Sequence, residues 1–278
     1  MTLKIGVFDS GVGGITVLSE LKQKMGFADY VYLGDTAHVP YGTKSPAQIE
    51  KLSIECALLL KQKNIDALVV ACNTASSWAL PAIRKVMAPI PVFGVVEPGV
   101  EAALNTLKSF SSETETLPIL VLATRATVRS QAYGKALRLH FDQLGVEETR
   151  PNVLIIEKAC PLLVPMIEEG WTDHSILHLT IAEYVKPYLS QFKAGIALLG
   201  CTHYPWIHSA FEQALPGWTV VNSAEAIVSA LRVGGELTPT DTLDESKQEI
   251  EWIFTDPEAV PEFARQWIQN GVNWKKGP

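Results

Sequence analysis

Two cysteines stand at the ends of two matching stretches. Ile65-Asp-Ala-Leu-Val-Val-Ala-Cys-Asn-Thr74 is an apolar, β-branched run that stops at Cys72 and turns polar at Asn73 and Thr74. Ala194-Gly-Ile-Ala-Leu-Leu-Gly-Cys-Thr-His203 repeats the pattern with Cys201, almost half the chain away. A buried parallel strand that ends this way delivers a reactive side chain to the carboxyl edge of its sheet. Paired thiols suit few chemistries. Disulfide exchange is one, although redox pairs of reducing compartments usually sit close in sequence. Nucleophilic catalysis needs one cysteine and a base, which leaves the second idle. Proton exchange at a stereocentre uses two groups, one on each face of a planar intermediate, with one as thiolate and the other as thiol. An ordinary cysteine titrates at about 8.5, so modest tuning gives both forms near neutral pH.

Charged neighbours must set that asymmetry. Asp9 ends the first strand, His203 lies two residues past Cys201, and Glu168 or Glu169 follows Pro165-Met-Ile. Each also has a plain reading: a helix cap for Asp9, a packing histidine for His203, solvated helix charges for the glutamates. An amino-acid substrate needs partners for its carboxylates and ammonium. Ser10, Asn73, Thr74, Thr124, Thr127 and Thr202 supply small polar groups at strand ends, beside the N–H groups of helix N-termini. Asp9-Ser-Gly-Val-Gly-Gly14 is neither the dinucleotide fingerprint nor a Walker A loop. No lysine lies in these loops to hold pyridoxal phosphate, so no cofactor is expected. No metal is expected either: among four cysteines there is no Cys-x-x-Cys pair. Cys56 falls in the apolar stripe of a helix. Cys160, before Pro161 at a strand end, reads as structural though near the site.

The elements that must position these residues alternate. Strands are expected at Lys4–Phe8, Asp29–Leu33, up to Cys72, and at Pro91–Val96, with helices at Ile15–Lys24, at Pro46 to about Lys63 behind a Ser45 cap, and around Ser76–Met87. After a helix at Pro98–Leu107, the polar connection Ser109–Pro118 breaks the chain. Strands then recur at Ile119–Ala123, Val153–Glu157, up to Cys201, and at Trp218–Asn222, with helices near Val128–Leu144, Leu162–Glu169, Asp173–Phe192 and Ser223–Leu231. An acidic run at Asp241–Glu249, a strand at Trp252–Phe254 and a helix capped by Asp256 complete the reading. Such alternation means parallel sheets covered on both faces. Both halves open on a strand with a small polar end, Asp9-Ser10 and Thr124, and later end a strand in cysteine. The expected fold is α/β: two pseudo-symmetric open parallel-sheet domains with an active site in the cleft between them.

The 278 residues carry a formal net charge of −7 and are 47% hydrophobic and 19% charged, which fits a soluble globular protein and argues against nucleic-acid binding. No stretch approaches a membrane span and no signal peptide is evident, so a cytoplasmic location is expected.

The chain resembles the glutamate racemases. The resemblance rests on Asp9-Ser-Gly-Val-Gly-Gly14, Pro40-Tyr-Gly42, Ala71-Cys-Asn-Thr-Ala75, Gly94-Val-Val-Glu-Pro-Gly99, Ala123-Thr-Arg-Ala-Thr-Val128, Cys160-Pro161 with Glu168, and Leu199-Gly-Cys-Thr-His-Tyr-Pro205, in family order over about 200 residues. It implies cofactor-independent interconversion of L- and D-glutamate, supplying D-glutamate for peptidoglycan. Cys72 would meet the α-proton of D-glutamate with help from Asp9, and Cys201 that of L-glutamate with help from Glu168 and His203. Ser10, Pro40, Tyr41, Gly42, Asn73, Thr74, Thr124, Thr127, Thr202 and His203, with Asp9, would hold the substrate. The resemblance also implies interleaved domains, residues 1–96 plus 208–278 and residues 97–207. Arg125-Ala126 departs from the family, where many relatives have a glycine before the threonine. Aspartate racemase shares the two-cysteine architecture and is the nearest rival. Some relatives respond to the precursor UDP-N-acetylmuramoyl-L-alanine or bind DNA gyrase, and monomer and homodimer are both open.

Overall fold

In a computed structural model of the chain, the described residues are 3–25, 28–110, 116–144, 153–233 and 249–269. The first half runs β1 (Leu3–Asp9), α1 (Ile15–Lys24), β2 (Ala28–Gly34), α2 (Pro46–Lys61), β3 (Ala67–Val70), α3 (Asn73–Trp78), α4 (Leu80–Met87), β4 (Val92–Gly94) and α5 (Val96–Leu107). The second runs β5 (Leu117–Ala123), α6 (Arg125–Ser130), α7 (Ala132–Leu144), β6 (Val153–Ala159), α8 (Leu163–Glu168), α9 (Ser175–Leu189), β7 (Gly195–Gly200), α10 (His208–Ala214) and β8 (Trp218–Asn222). The chain then adds α11 (Ser223–Val233), β9 (Ile250–Phe254) and α12 (Glu262–Gln269). The acidic run at 241–248 and residues 111–115 of the polar connection lie outside the described residues.

Among the described residues all strand pairs are parallel. The sheets are ordered β4-β3-β1-β2-β9 and β6-β5-β7-β8. Read from the other edge, the second is β8-β7-β5-β6, the order of the first with each strand number raised by four; β9 is an added edge. In both sheets the order reverses between the central strands, β1 and β3 in one, β5 and β7 in the other. That reversal is where a crevice opens at the carboxyl ends of the strands. Asp9 and Cys72 sit at one reversal, Thr124 and Cys201 at the other.

Sheet membership corrects one expectation. The resemblance returned the chain to the first domain at residue 208, but β8 pairs with β7, Gly195 opposite Trp218 through Leu199 opposite Asn222. β8 fills the place that β4 fills in the first sheet, so the chain rejoins the first domain only after Asn222.

Continuous apolar runs make the strands buried on both faces. The first sheet is covered by α1, α11 and α12 on one face and by α2 to α4 on the other. The second is covered by α8 to α10 on one face, and by α5 and α7 on the other. Local signals set the helix ends. The Ser45 hydroxyl accepts from the Gln48 N–H at 3.3 Å and the Gln48 side chain accepts from the Ser45 N–H at 3.1 Å, a reciprocal cap that opens α2 at Pro46. The single helix expected near Val128–Leu144 is two, because Gln131 takes a left-handed conformation, φ 56°. Asp256 does not cap α12; its Oδ1 accepts from the N–H groups of Glu258 and Ala259 in the preceding turn.

The domains meet closely at Gly13. A Cβ there would overlap the Thr202 hydroxyl and the His203 ring. Gly13 has no positive φ, so removing chain entropy by Gly13→Ala would by itself stabilise by about 0.4–1 kcal/mol. The clash reverses the sign: overpacking should cost about 1–3 kcal/mol net. Urea denaturation of Gly13→Ala checks this, and a midpoint equal to or above that of wild type would exclude the close fit.

Candidate active site

Cys72 and Cys201 open into one cavity of about 110 Å³. They are 4% and 5% exposed, and each follows a strand of a different sheet. A far larger groove of about 1300 Å³ lies elsewhere, open and without a thiol. Both cysteines line the smaller space.

On the first-domain side, Cys72 is the N-cap of α3. Its sulfur accepts from the Ala75 N–H at 3.4 Å and lies 3.3 Å from the Ser10 hydroxyl. Burial pushes the Cys72 thiol up to about 12; the nearby Asp9 carboxylate adds to the rise, while Ser10 and the Ala75 N–H oppose it. Asp9 does not line the cavity. It is fully buried behind the wall, where Oδ2 accepts from the Gly11 N–H at 2.9 Å and Oδ1 from the Thr202 hydroxyl at 3.2 Å. Burial raises the Asp9 carboxyl, and the His203 charge and these hydrogen bonds pull it back.

On the second-domain side, His203 Nδ1 lies 4.0 Å from Cys201 Sγ and Nε2 is 3.0 Å from Glu168 Oε1. Burial alone would lower the imidazole. The hydrogen bonds to Cys201 and Glu168 and their negative charge outweigh it and lift His203 to about 10. At neutral pH the ring is therefore an imidazolium between a carboxylate and the sulfur. Of the two adjacent glutamates, Glu168 makes this contact, and Glu169 is exposed on the large groove.

Hydroxyls close the cavity across the domain boundary. Thr74 Oγ1 lies 3.0 Å from Thr124 Oγ1 and 3.2 Å from Thr127 Oγ1, and the last two are 3.1 Å apart. Thr127 stands behind Thr124 rather than in the wall. Pro40, Tyr41 and Gly42 form the lid side, with the Tyr41 hydroxyl donating to Asp35 at 2.6 Å. Ser10, Asn73, Thr74, Thr124, Glu168, Thr202 and His203 also line the space. Sequence reasoning missed its apolar wall, Val39, Val164 and Pro165, which carry no chemical signal in a linear chain. Cys160 lines the cavity too, with its thiol pushed up to about 12 by burial. Arg125, the departing residue, stands exposed at the rim, and the Ala126 carbonyl accepts from the Trp78 indole at 2.8 Å.

The arrangement holds two sulfurs with opposite surroundings, one beside a carboxylate and one beside an imidazolium, over a space fit for a small polar molecule. No group of three or more possible metal ligands occurs among the described residues, and none of their helices is long and apolar enough to cross a membrane.

Similar proteins carry the same frame. A family model described as Asp/Glu/Hydantoin racemase matches residues 15–231. The glutamate racemase of Sulfurihydrogenibium sp. (strain YO3AOP1) is 42% identical over 233 residues, 83% of this chain and 82% of that one. The crystal structure of glutamate racemase from Francisella tularensis subsp. tularensis SCHU S4 in complex with D-glutamate matches with a TM-score of 0.77 at 30% identity, covering 96% of this chain and 94% of that one. The Escherichia coli glutamate racemase structure, in complex with L-glutamate and activator UDP-MurNAc-ala, matches with a TM-score of 0.70 at 25% identity over 96% of both chains. The repeated sheets, the paired cysteines and a match spanning most of the sequence lead to one conclusion: the chain belongs to the Asp/Glu/Hydantoin racemase family, among its glutamate racemases.

Proposed function

We propose that this chain interconverts L- and D-glutamate by a two-base mechanism without a cofactor, and thereby supplies D-glutamate for peptidoglycan. The observation that carries the reading is the pair of buried thiols, one from each repeat, lining a single small cavity. Cys201 takes the α-proton of L-glutamate, with the His203 imidazolium, itself held by Glu168, facing the thiolate. Cys72, kept as a thiol by burial and by Asp9, delivers a proton to the opposite face of the planar intermediate. The reverse reaction starts from Cys72 as thiolate and Cys201 as thiol. The substrate carboxylates are held by hydrogen-bond donors fixed before reaction, the Ser10, Thr74 and Thr124 hydroxyls and the Asn73 amide, while the Thr202 oxygen, its proton donated to Asp9, is left to accept from the substrate ammonium. Thr127 holds Thr74 and Thr124 in place. The lid residues Pro40, Tyr41 and Gly42 keep water from competing as a proton donor.

Each single variant, Cys72→Ser and Cys201→Ser, should lose about 10²–10⁴-fold in racemisation, the usual worth of a positioned proton-transfer group. Full activity in both variants would sink the thiol mechanism. Racemisation in D₂O gives an independent test. Each enantiomer should yield product labelled at Cα, and product that keeps its own proton would point to one shared base.

The substrate reading competes with aspartate, one methylene shorter. A missing methylene is worth about 10–200-fold, so kcat/KM for glutamate should exceed that for aspartate by at least about tenfold, and the reverse order would overturn it. The effector bound in the Escherichia coli structure, UDP-MurNAc-ala, is carried to this chain as a candidate activator. Adding it to the same assay tests this through a rise in kcat/KM.

The His203–Glu168 pair sets a pH window. Because His203 is raised to about 10 in the folded protein against about 6.5 when unfolded, its contribution to stability is fully present below about 6.5. It is lost as pH rises through about 10. Glu168→Gln removes the carboxylate, so the alkaline limb of kcat/KM for L-glutamate should move to lower pH by about one unit or more. An unmoved limb would detach His203 from catalysis.

A further inference from the structure

Behind the cavity wall lies a residue that none of the roles above uses. Tyr133 of α7 is fully buried, and its hydroxyl donates to Asn73 Oδ1 across the domain boundary. Asn73 lines the cavity, is 2% exposed, and its Nδ2 has no hydrogen-bond partner among the described residues. A buried donor without a protein partner is expected where a ligand supplies the acceptor. Which end of an amide faces a ligand depends on what holds the other end. Ser223 stands at the same phenol, since a Cβ added at Gly99 would lie 3.5 Å from both Ser223 Cβ and Tyr133 Oη, and its hydroxyl opposes the rise that burial gives the phenol, as a donor toward the phenol oxygen does. With Ser223 on that oxygen, the single phenolic proton is left for Asn73. The carbonyl end of the amide is thus held rearward and the NH₂ is the end a ligand meets.

The ring itself is closely seated. A Cβ at Gly200, the residue before Cys201, would lie 3.0 Å from Tyr133 Cε2. Tyr133 therefore touches the segments that carry both cysteines, Asn73 directly after Cys72 and Gly200 directly before Cys201.

We propose that Tyr133 is a positioning residue that locks the Asn73 amide with its NH₂ toward the substrate carboxylate. This rests on the glutamate reading above. Without the phenol hydroxyl, the amide is free to turn and present its carbonyl to a carboxylate, which repels it. The loss acts on ground state and transition state alike, so it falls on KM rather than kcat.

Tyr133→Phe keeps the ring and removes the hydroxyl. KM for both glutamate enantiomers should rise about tenfold or more, with kcat changed by less than about threefold. Asn73→Ala should raise KM by itself, and adding Tyr133→Phe to it should change nothing further. An unchanged KM in Tyr133→Phe overturns the proposal. So does an equal rise in the Asn73→Ala background, since that is what lost packing alone would give. If Tyr133→Phe fails to fold, Ser223→Ala, which releases the phenol proton from its orientation, should raise KM in the same way, and an unmoved KM there overturns it equally. Wild-type protein that does not racemise glutamate overturns the substrate reading and this inference together; active wild type with an unmoved KM in Tyr133→Phe overturns this inference alone.

Discussion

Thr202 donates to the buried Asp9 carboxyl at 3.2 Å, and through that bond the strand end of β1 is tied to the turn that follows β7. Everything at the site depends on this seam, because the two sulfurs belong to different sheets and share a cavity only while the strand ends stay in register. Neighbouring contacts repeat the tie. The Thr16 hydroxyl donates to the Thr202 carbonyl at 2.9 Å, Gly13 leaves no clearance beneath His203, and Thr74 meets Thr124 and Thr127 on the far side. Each such bond contributes about 1 kcal/mol net. The seam is held by several weak contacts rather than one strong one, which suits an enclosure that must release its contents.

The same scaffold built twice gives two unequal thiols. In both repeats a cysteine follows the strand beside the reversal of strand order. What differs is the company. Cys72 has a hydroxyl at 3.3 Å and a carboxylate behind it, and burial dominates its titration. Cys201 has an imidazole at 4.0 Å that is lifted to about 10 by the sulfur and by Glu168. Helix α8 brings Glu168 to the imidazole beside Cys201, whereas the charge that acts on Cys72 is the Asp9 carboxylate at the end of β1. The asymmetry lies in the side chains grafted on the repeat, not in the repeat.

Much of this was legible in the linear chain. Apolar runs ending in Asp9, Cys72, Thr124 and Cys201 located the carboxyl edges, and Ser45-Pro46 located the start of α2. The paired cysteines pointed to two like halves. Three features were hidden for physical reasons. β8 reads like any short buried strand, and only its pairing with β7 assigns it to the second sheet. The break at Gln131 depends on a left-handed residue that is neither Gly nor Asn, so composition gave no warning. Tyr133 looks like one more aromatic on the apolar face of a helix; its hydroxyl matters because of Asn73, which only the folded chain brings to it.

The lid side has a consequence for how the site is completed during synthesis. Tyr41 is anchored on Asp35, and Asp35 Oδ1 in turn accepts from the Thr255 hydroxyl at 2.7 Å, 220 residues further along. Thr36 donates to the Asp256 carbonyl at 2.6 Å, and β9 pairs with β2 beside them. A growing chain has made both cysteines, both sheets' central strands and every polar wall group before this clamp leaves the ribosome. Until then Tyr41 has its bond to Asp35, but Asp35 and Thr36 lack the Thr255 and Asp256 groups that tie the loop to the edge strand. The last strand of the first sheet thus completes the support of a loop made more than 200 residues earlier.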